Sequence, residues 1–459
     1  MAGCLEGAPA QGSIPAMSIT GRAYDSGVRL LRGVSPLLAR GDSKFARGIR
    51  ERSEARDALR RWGETGRDPD RPCVWFHAPS VGEGLQARAA LEALRRLTPG
   101  LQAIQTWFSP SAQGFGQGGT VDVAGPLPWD VRAELEALLD VVRPNLIAFT
   151  KTEVWPGLTA AAVDRGIPVI LIAAALPKGA GRLKPLARRL LSPTFTSLSA
   201  VLAIGEEDAR RFPALGVKEE RILVTGDPGV DSAWRRAGEA DPEATYLQPL
   251  HREPRPTLVA GSTWPADERV LLPALDAILA RRGRAALRAI IAPHEPDEDH
   301  LHRLEDDLRA SGLRAVRLAE VERSGLSGRE EVIVVDRVGV LAHLYTIGTM
   351  AYVGGGFGVD GLHSVIEPAA ASLPVSFGPR HSNAAAAREL ERIGGGTVVA
   401  GVEGLADLLE GWLIDEGARK ATGLRAGGYI EAHRGAALRT AEAMETYLSP
   451  LQGASQGSE

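Results

Sequence analysis

Short apolar segments alternate with amphipathic helical patterns along this chain, and the alternation runs through twice. In the first half CVWFHA, LQAIQTWF, NLIAFT, PVILIAAA, AVLAIG and RILVTG read as strands, with ARAALEALRRL, VRAELEALLDVV and EEDARRF as helices among them. The second half restarts the pattern with TLVAGST, RAIIAPHE, EVIVVD, TMAYVGGG, LPVSFGPR and GTVVAG, separated by helices such as DERVLLPALDAILARR. Strand–helix alternation of this kind builds parallel sheets from right-handed βαβ units. At 459 residues the chain is too long for one core. The expected architecture is therefore α/β, with two Rossmann-like doubly wound domains facing an interdomain cleft, a preferred place for ligands. The first domain is expected over 70–232 and the second over 257–425. Polar, proline-bearing residues 233–256 read as a linker, and a single amphipathic helix over 429–448 precedes a polar tail.

Composition removes several classes of function. A formal net charge of −4 gives no reason to expect nucleic acid as a partner. Two cysteines, Cys4 and Cys73, build neither a disulfide framework nor a thiolate zinc site, and no apolar signal run precedes Cys4. The nine histidines form no HExxH-like pair, so no metal and no cofactor is expected. No run reaches the ~20 apolar residues of a membrane span. Residues 1–60 are basic and amphipathic: Tyr24, Val28, Leu31, Val34 and Leu38 fall near helical spacing, with Arg22, Arg29, Arg32 and Arg40 elsewhere on the wheel. That pattern suits peripheral contact with an anionic membrane surface. A helix packed on the protein body fits the same stripe equally well.

HAPSVGE, His77 to Glu83, joins the first strand to an amphipathic helix. A strand-to-helix junction presents backbone N–H groups and a positive dipole end to one crevice. Ser80 and Gly82 are small enough to admit a substrate, and Glu83 is the candidate general base; the plainer alternative is a helix-start Glu that only complements the dipole. Three turns in the second half suit a nucleotide. Gly261-Ser262-Thr263 follows a strand and precedes a helix, and Val353-Gly354-Gly355-Gly356 ends a strand without the GxxxxGK[ST] pattern of a P-loop. In Gly361-Leu362-His363-Ser364-Val365-Ile366-Glu367-Pro368, a helical turn would put His363 and Glu367 on one face, where the carboxylate can accept from a ribose diol.

The order of these blocks resembles the 3-deoxy-D-manno-octulosonic acid (Kdo) transferases of lipopolysaccharide assembly, inverting glycosyltransferases of GT-B fold. HAPSVGE resembles the family's HAxSVGE, and TEVWP (Thr152 to Pro156) its TELWP. AIGEEDARRFPALGV, VTGDPGVD, GSTWPADE, IAPHEPD, VLAHLYTIGTMAYVGGGF and GLHSVIEPAAASLPVSFGP follow further family blocks in order. The resemblance implies a CMP-Kdo donor held by the second domain and a lipid A precursor as acceptor near the first. It also implies action at the cytoplasmic face of the inner membrane, or in the cytoplasm. It makes Glu83 the catalytic base, and Ser364 and Glu367 the ribose-handling positions. Pro293 and His294 match a donor-side turn, and Gly339 and Leu341 lie in the loop expected at the base and phosphate. Ser262, Thr263 and Gly355 join this donor set. Ser80, Gly82, Lys151 and Glu153 fall on the acceptor or supporting side.

The pattern also departs from the family. The family's ETE reads Lys151-Thr152-Glu153, reversing one charge. NARLS reads Ala173-Ala174-Ala175-Leu176-Pro177, and the lysine of LKFD is Gly229. Ser364 stands for an asparagine and Trp264 for a histidine. Cations recognise phosphate, so their loss bears on a phosphorylated acceptor. Two alternatives follow: a diverged GT-B transferase with another acceptor, and a catalytically weakened, membrane-associated binding or scaffold protein. A sugar-nucleotide epimerase would share the strand and glycine pattern but lacks the HAPSVGE and TEVWP blocks.

Overall fold

A computed structural model describes residues 19–38, 44–108, 121–359 and 361–448. Cys4 and the tail 449–459 lie outside the described residues. The chain divides into two compact units, Met1–Gly226 with Leu438–Glu459, and Asp227–Ala437.

The first unit carries a seven-stranded parallel sheet in the order β3-β2-β1-β4-β5-β6-β7. Its strands are β1 (Cys73–His77), β2 (Gln102–Trp107), β3 (Val123–Pro126), β4 (Leu146–Thr150), β5 (Val169–Ala174), β6 (Ala200–Ala203) and β7 (Ile222–Val224). Every residue of β1, β2, β4, β5 and β6 is buried, as expected of strands covered on both faces. The covering helices include α1 (Ile19–Leu38), α2 (Lys44–Thr65), α3 (Val81–Leu97), α4 (Arg132–Val142), α5 (Pro156–Val163), α6 (Pro185–Thr196) and α7 (Glu206–Ala209). Trp75, Phe149, Leu135, Leu139, Leu158, Phe195 and Phe212 share one core.

Helix α1 packs on this body through one face. Tyr24 Oη donates to Asp130 at 2.8 Å, Asp25 accepts from the Arg132 N–H at 3.0 Å, and Arg32 pairs with Glu134. Leu30, Leu31 and Val34 remain exposed on the other side. The stripe drawn from the sequence is thus divided: Tyr24 and Val28 lie half-buried, while Leu31 and Val34 face outward. Among the described residues, no helix is long and apolar enough to cross a membrane.

The second unit has the same design, β10-β11-β9-β8-β12-β13-β14, again parallel throughout. Its strands are β8 (Thr257–Thr263), β9 (Arg288–Pro293), β10 (Ala315–Arg317), β11 (Val332–Val334), β12 (Met350–Val353), β13 (Val375–Phe377) and β14 (Gly396–Val398). Three of its helices are α8 (Pro228–Gly238), α9 (Gln248–Arg252) and α10 (Pro265–Arg282). Helices α8 and α9 run into the stretch that reads as a linker, and Val230, Ala233, Leu247 and Leu250 bury into this unit. Proline misleads there because it is well suited to a first helical turn, as at Pro249 of α9 and, outside that stretch, at Pro156, Pro185, Pro228 and Pro265. The amphipathic stretch 429–448 is not one helix. It breaks at Gly435, φ +83°, between Glu416–His433 and Ala436–Glu445, and Asp231 accepts from the Gly435 and Ala437 N–H groups at 2.7 and 2.8 Å.

In both sheets the first strand sits inside the order, and the chain leaves it in one direction and later returns on its other side. The pairs β1/β4 and β8/β12 are these switch points, where ligands of open α/β sheets bind.

Packing also separates two glycines near the first switch point. A Cβ on Gly157 would lie 2.6 Å from the Asp130 carbonyl oxygen, whereas one on Gly82 meets nothing within 4 Å. Chemical denaturation should show Gly157→Ala destabilising by about 1–3 kcal/mol, and Gly82→Ala changing stability by less than about 0.5 kcal/mol. Equal losses in both variants would contradict this packing.

Candidate active site

At the carboxyl end of β1 the chain turns through Ala78 and Pro79 into α3, with Ser80 as N-cap residue. A capping serine commonly accepts from the helix backbone. Here Ser80 Oγ instead donates to Glu83 Oε2 in a short hydrogen bond. The other carboxylate oxygen, Oε1, lies 3.4 Å from Lys151 Nζ. Lys151 follows β4, so this ion pair spans the β1/β4 switch point. The Glu83 side chain is 14% exposed and that of Lys151 53%.

The backbone around this pair is unusual. Lys151 has φ +70° and Ala173, at the bulged end of β5, φ +47°. Left-handed conformations cost non-glycine residues free energy and cluster at functional sites. Lys151 is held there by its N–H to the Ile172 carbonyl at 2.9 Å and by its carbonyl, which accepts from the Ala175 N–H at 3.3 Å. Two positions at which the sequence departs from the family pattern it resembles, Lys151 and Ala173, are therefore neighbours in the fold.

Glu153 is a second carboxylate in this cluster. Burial raises its pKa above the ordinary value, the charge of Glu83 adds to the rise, and Arg182 and Arg52 oppose it. Arg52 reaches in from α2, its guanidinium 4.3 Å from the Phe108 ring centroid and 5.6 Å from that of Trp129. Burial lowers the Arg52 pKa, against the attraction of Glu153. Below the cluster Trp155 stacks on Phe108 at 5.5 Å and donates its indole N–H to His77 Nε2 at 2.9 Å. With Nε2 accepting, the His77 proton sits on Nδ1, which donates to Thr106 Oγ1 at 3.0 Å. His77 is thereby a clamp for the TEVWP turn and not a base.

The second unit forms two clusters. At the β8/β12 switch point Trp264 Nε1 donates to His363 Nε2 at 2.8 Å, and the His294 ring stacks on His363 at 4.1 Å between centroids. Asp267 ties this turn together, accepting from the Trp264 N–H at 3.0 Å, the Tyr352 hydroxyl at 2.9 Å and the Gly355 N–H at 2.8 Å. Ser262 has φ +54° and Gly355 φ +93°. A Cβ on Gly354 would stand 2.2 Å from the Ser262 carbonyl oxygen, so this loop and the β8 turn touch through backbone. Thr263 presents backbone only: its hydroxyl is buried and donates to Glu268 Oε1 at 2.9 Å. Pro293 ends β9, and the next N–H, of His294, bonds to the Thr263 carbonyl at 2.9 Å.

The second cluster surrounds Glu367, whose Oε1 accepts from Arg236 at 2.5 Å. Gly339, φ +94°, precedes the short helix Leu341–Tyr345, and Leu341 and Tyr345 pack against Gly261. His363 and Glu367 do not share a helical face, because the helix begins only at Ile366. Residues 361–365 lack regular structure, and the Ser364 hydroxyl accepts from the Ile366 N–H at 3.4 Å. His363 therefore belongs to the tryptophan cluster and Glu367 to the arginine.

Arg52, Arg182 and Arg236 escape the sequence reading. Arg52 is one of many arginines in a basic run, Arg182 sits in a glycine-rich turn, and Arg236 lies within the stretch taken for a linker. The basic residue in each case carries no spacing signal of its own.

The His77 clamp has a pH signature. Burial, with the charge of Arg52, lowers its pKa from 6.5 to about 3. As pH falls below 6.5 the unfolded chain takes up this proton and the folded chain does not. The contribution to stability is thus complete above 6.5 and is lost on the way down toward 3. Between pH 7 and pH 5 the loss from this group is about 2 kcal/mol. Denaturation of wild type and His77→Gln across that range should show a shallower pH dependence in the variant; identical slopes would contradict the assignment.

Comparison with known proteins gives this geometry a context. A family model described as 3-deoxy-D-manno-octulosonic-acid transferase (kdotransferase) matches residues 49–232, from α2 to α8. The chain is 28% identical over 438 residues to the 3-deoxy-D-manno-octulosonic acid transferase of Bordetella pertussis, covering 91% of this chain and 98% of that protein. It is 26% identical over 391 residues to the transferase of the same name from Chlamydia pneumoniae, covering 82% and 85%. Among solved structures, the UDP-GlcNAc 2-epimerase of Neisseria meningitidis bound to UDP-GlcNAc superposes with a TM-score of 0.57 at 12% identity, covering 82% of this chain and 99% of that one. Likeness at that identity speaks for the fold, GT-B with two Rossmann-like domains, and not for a shared activity. Matches to named transferases along most of the chain, and to the family model over the residues that include Glu83 and Glu153, make the chain similar to the Kdo transferases.

Proposed function

We propose that this protein transfers Kdo from CMP-Kdo to a lipid A precursor with inversion at the anomeric carbon, and that Glu83 is the general base. The observation that carries this reading is the Glu83 carboxylate, fixed by Ser80 and faced by Lys151 at a sheet switch point. An alcohol is a weak nucleophile until a base removes its proton as the new bond forms. The acceptor oxygen attacks the anomeric carbon, its proton passes to Glu83, and the anomeric C–O bond to the phosphate breaks. The bonding electron pair leaves with CMP. A single displacement needs no covalent sugar–enzyme intermediate. Lys151, Glu153, Arg52 and Arg182 supply the charged surroundings of the acceptor head, with Gly82 leaving room beside them.

The second unit is the donor domain in this reading. Glu367, braced by Arg236, and Ser364 take the cytidine ribose. The Ser262–Thr263 turn, Pro293, His294, Gly339, Leu341 and Gly355 surround the phosphate and base. The start of α10 and nearby backbone N–H groups balance the departing phosphate's charge, so no metal ion takes part. The exposed Leu30, Leu31 and Val34 of α1 support peripheral contact with the cytoplasmic face of the inner membrane.

One observation favours a diverged acceptor. Lys151 reverses a family charge beside the base, and Ala173 and Ala175 provide no cation or hydroxyl. Incubation with CMP-Kdo and lipid A precursors differing in phosphorylation separates the two: CMP release with a Kdo mass gain on the bis-phosphorylated lipid supports the first reading, and gain only on another acceptor the second.

Glu83→Gln should lower the transfer rate by about 10²–10⁴-fold while CMP-Kdo still binds as in wild type, measured by CMP release and by calorimetry. Near-normal turnover would overturn the base assignment. Transfer should also persist undiminished in EDTA; activity lost to the chelator and restored by a divalent cation would refute the metal-free reading.

A further inference from the structure

The Trp264 cluster of the second unit lies at the carboxyl ends of its strands, and another group of charged side chains lies at their opposite ends. There Thr257 begins β8, Arg288 begins β9 and Thr349 immediately precedes β12. These three residues line a cavity of about 590 Å³, together with Arg255 and with Arg419 of the helix Glu416–His433. The length of β8, from Thr257 to Thr263, sets roughly 15–20 Å between this cavity and the Ser262–Thr263 turn. The cavity is therefore separate from the site described above.

Arginine is almost never fully buried unless it is paired, and Arg288 is only 3% exposed. Among the described residues neither Arg288 nor Arg255 meets a carboxylate at ion-pair distance, whereas Arg281, Arg314, Arg317 and Arg337 of the same unit each do. The Arg288 guanidinium donates to the Glu253 carbonyl at 2.5 Å, which among the described residues is its one side-chain hydrogen bond. Arg255 donates to the Glu330 carbonyl, and its Nε is buried without a hydrogen-bond partner. Burial and the charge of Arg255 push the Arg288 pKa down to about 10, against the attraction of Glu253 and Glu330. Two arginines buried side by side cost free energy until an anion compensates them.

The rest of the wall says which anion. Thr257, Thr346 and Thr349 donate their hydroxyl protons to the carbonyls of Arg255, His343 and Thr257 at 2.9, 2.6 and 3.1 Å. The guanidinium groups are the donors left for a ligand. Glu416 is the one carboxylate residue on the wall, and Lys420 already holds it at 2.9 Å. Three arginines against one glutamate leave two positive charges in excess, which matches a phosphate group carrying about −1.5 to −2. Guanidinium forks bind phosphate oxygens in pairs, and a carboxylate has too few oxygens and too little charge for three of them. Leu250, Pro254, Ile347 and Leu413 give the cavity an apolar side, and its volume falls within the ~300–1,000 Å³ of small-molecule sites. We propose that this cavity binds a small, soluble phosphorylated molecule, its phosphate group held by Arg255, Arg288 and Arg419. The phosphate joins the helix Glu416–His433 to the starts of three strands. The proposal does not rest on the transfer reaction given above.

The test is calorimetric titration of the full chain with inorganic phosphate, paired with thermal denaturation in phosphate and in chloride of equal ionic strength. Wild type should bind phosphate, and its thermal transition should rise with phosphate concentration beyond the effect of chloride. Arg255→Gln and Arg419→Gln, both at partly exposed positions, should each weaken the binding by at least about 10-fold. Arg288→Gln should abolish it, and the other two variants carry the test where this buried change prevents folding. His294→Ala, at the other end of the sheet, should retain the binding. Wild type that responds to phosphate no more than to chloride overturns the proposal. So do arginine variants that bind phosphate as wild type does, including the case in which His294→Ala alone abolishes binding.

Discussion

The Lys151–Glu83 pair exists because β1 and β4 are neighbours whose chains depart in opposite directions, one toward β2 and the other toward β5. Two parallel strands end at the same edge of the sheet, and divergent connections leave nothing between their ends but short turns. One turn starts α3 and supplies Ser80 and Glu83; the other supplies Lys151 and Glu153. The geometry persists through backbone that would otherwise relax, since Lys151 and Ala173 are both held in the left-handed region. Their hydrogen bonds across the β4/β5 ends offset a cost of about 1–3 kcal/mol per residue. Beneath them, neutral His77 joins Thr106 to Trp155 and fixes the turn that carries Glu153.

The second unit solves the same problem with a different side chain. Asp267 takes the role of a staple, accepting from the turn after β8, from the Tyr352 hydroxyl on β12 and from the glycine loop beyond it. Three hydrogen bonds to one buried carboxylate offset the cost of taking that charge out of water. The result is a rigid floor on which the Trp264–His363 bond and the His294–His363 stack rest. This floor presents backbone and aromatic rings, while Glu367 stands with Arg236 at a separate cluster.

The fold was largely legible because apolar strands at regular intervals leave few alternatives, and both sheets follow from that pattern. What escaped depended on context. Proline-bearing sequence around Pro249 hid a short helix because the same residue serves a loop and a first helical turn. Gly435 split a helix whose apolar period runs on undisturbed through the break. At the site, the position of Glu83 at a strand-to-helix junction was legible in HAPSVGE, and its pairing with Ser80 and Lys151 came from the fold. Arg52, Arg182 and Arg236 were not legible, since arginine is common on surfaces and only tertiary contact distinguishes them. Thr263 shows the converse: its hydroxyl looked available in sequence, and Glu268 claims it in the fold.

In the proposed reaction one carboxylate, Glu83, comes within reach of an alcohol. A crystal structure with a non-transferable CMP-Kdo analogue and the lipid A precursor head would measure the distance between the accepting hydroxyl and Glu83. The account predicts about 2.6–3.2 Å between those oxygens, with Lys151 displaced or shared. A hydroxyl bonded to some other group, with Glu83 still closed on Ser80 and Lys151, would contradict it.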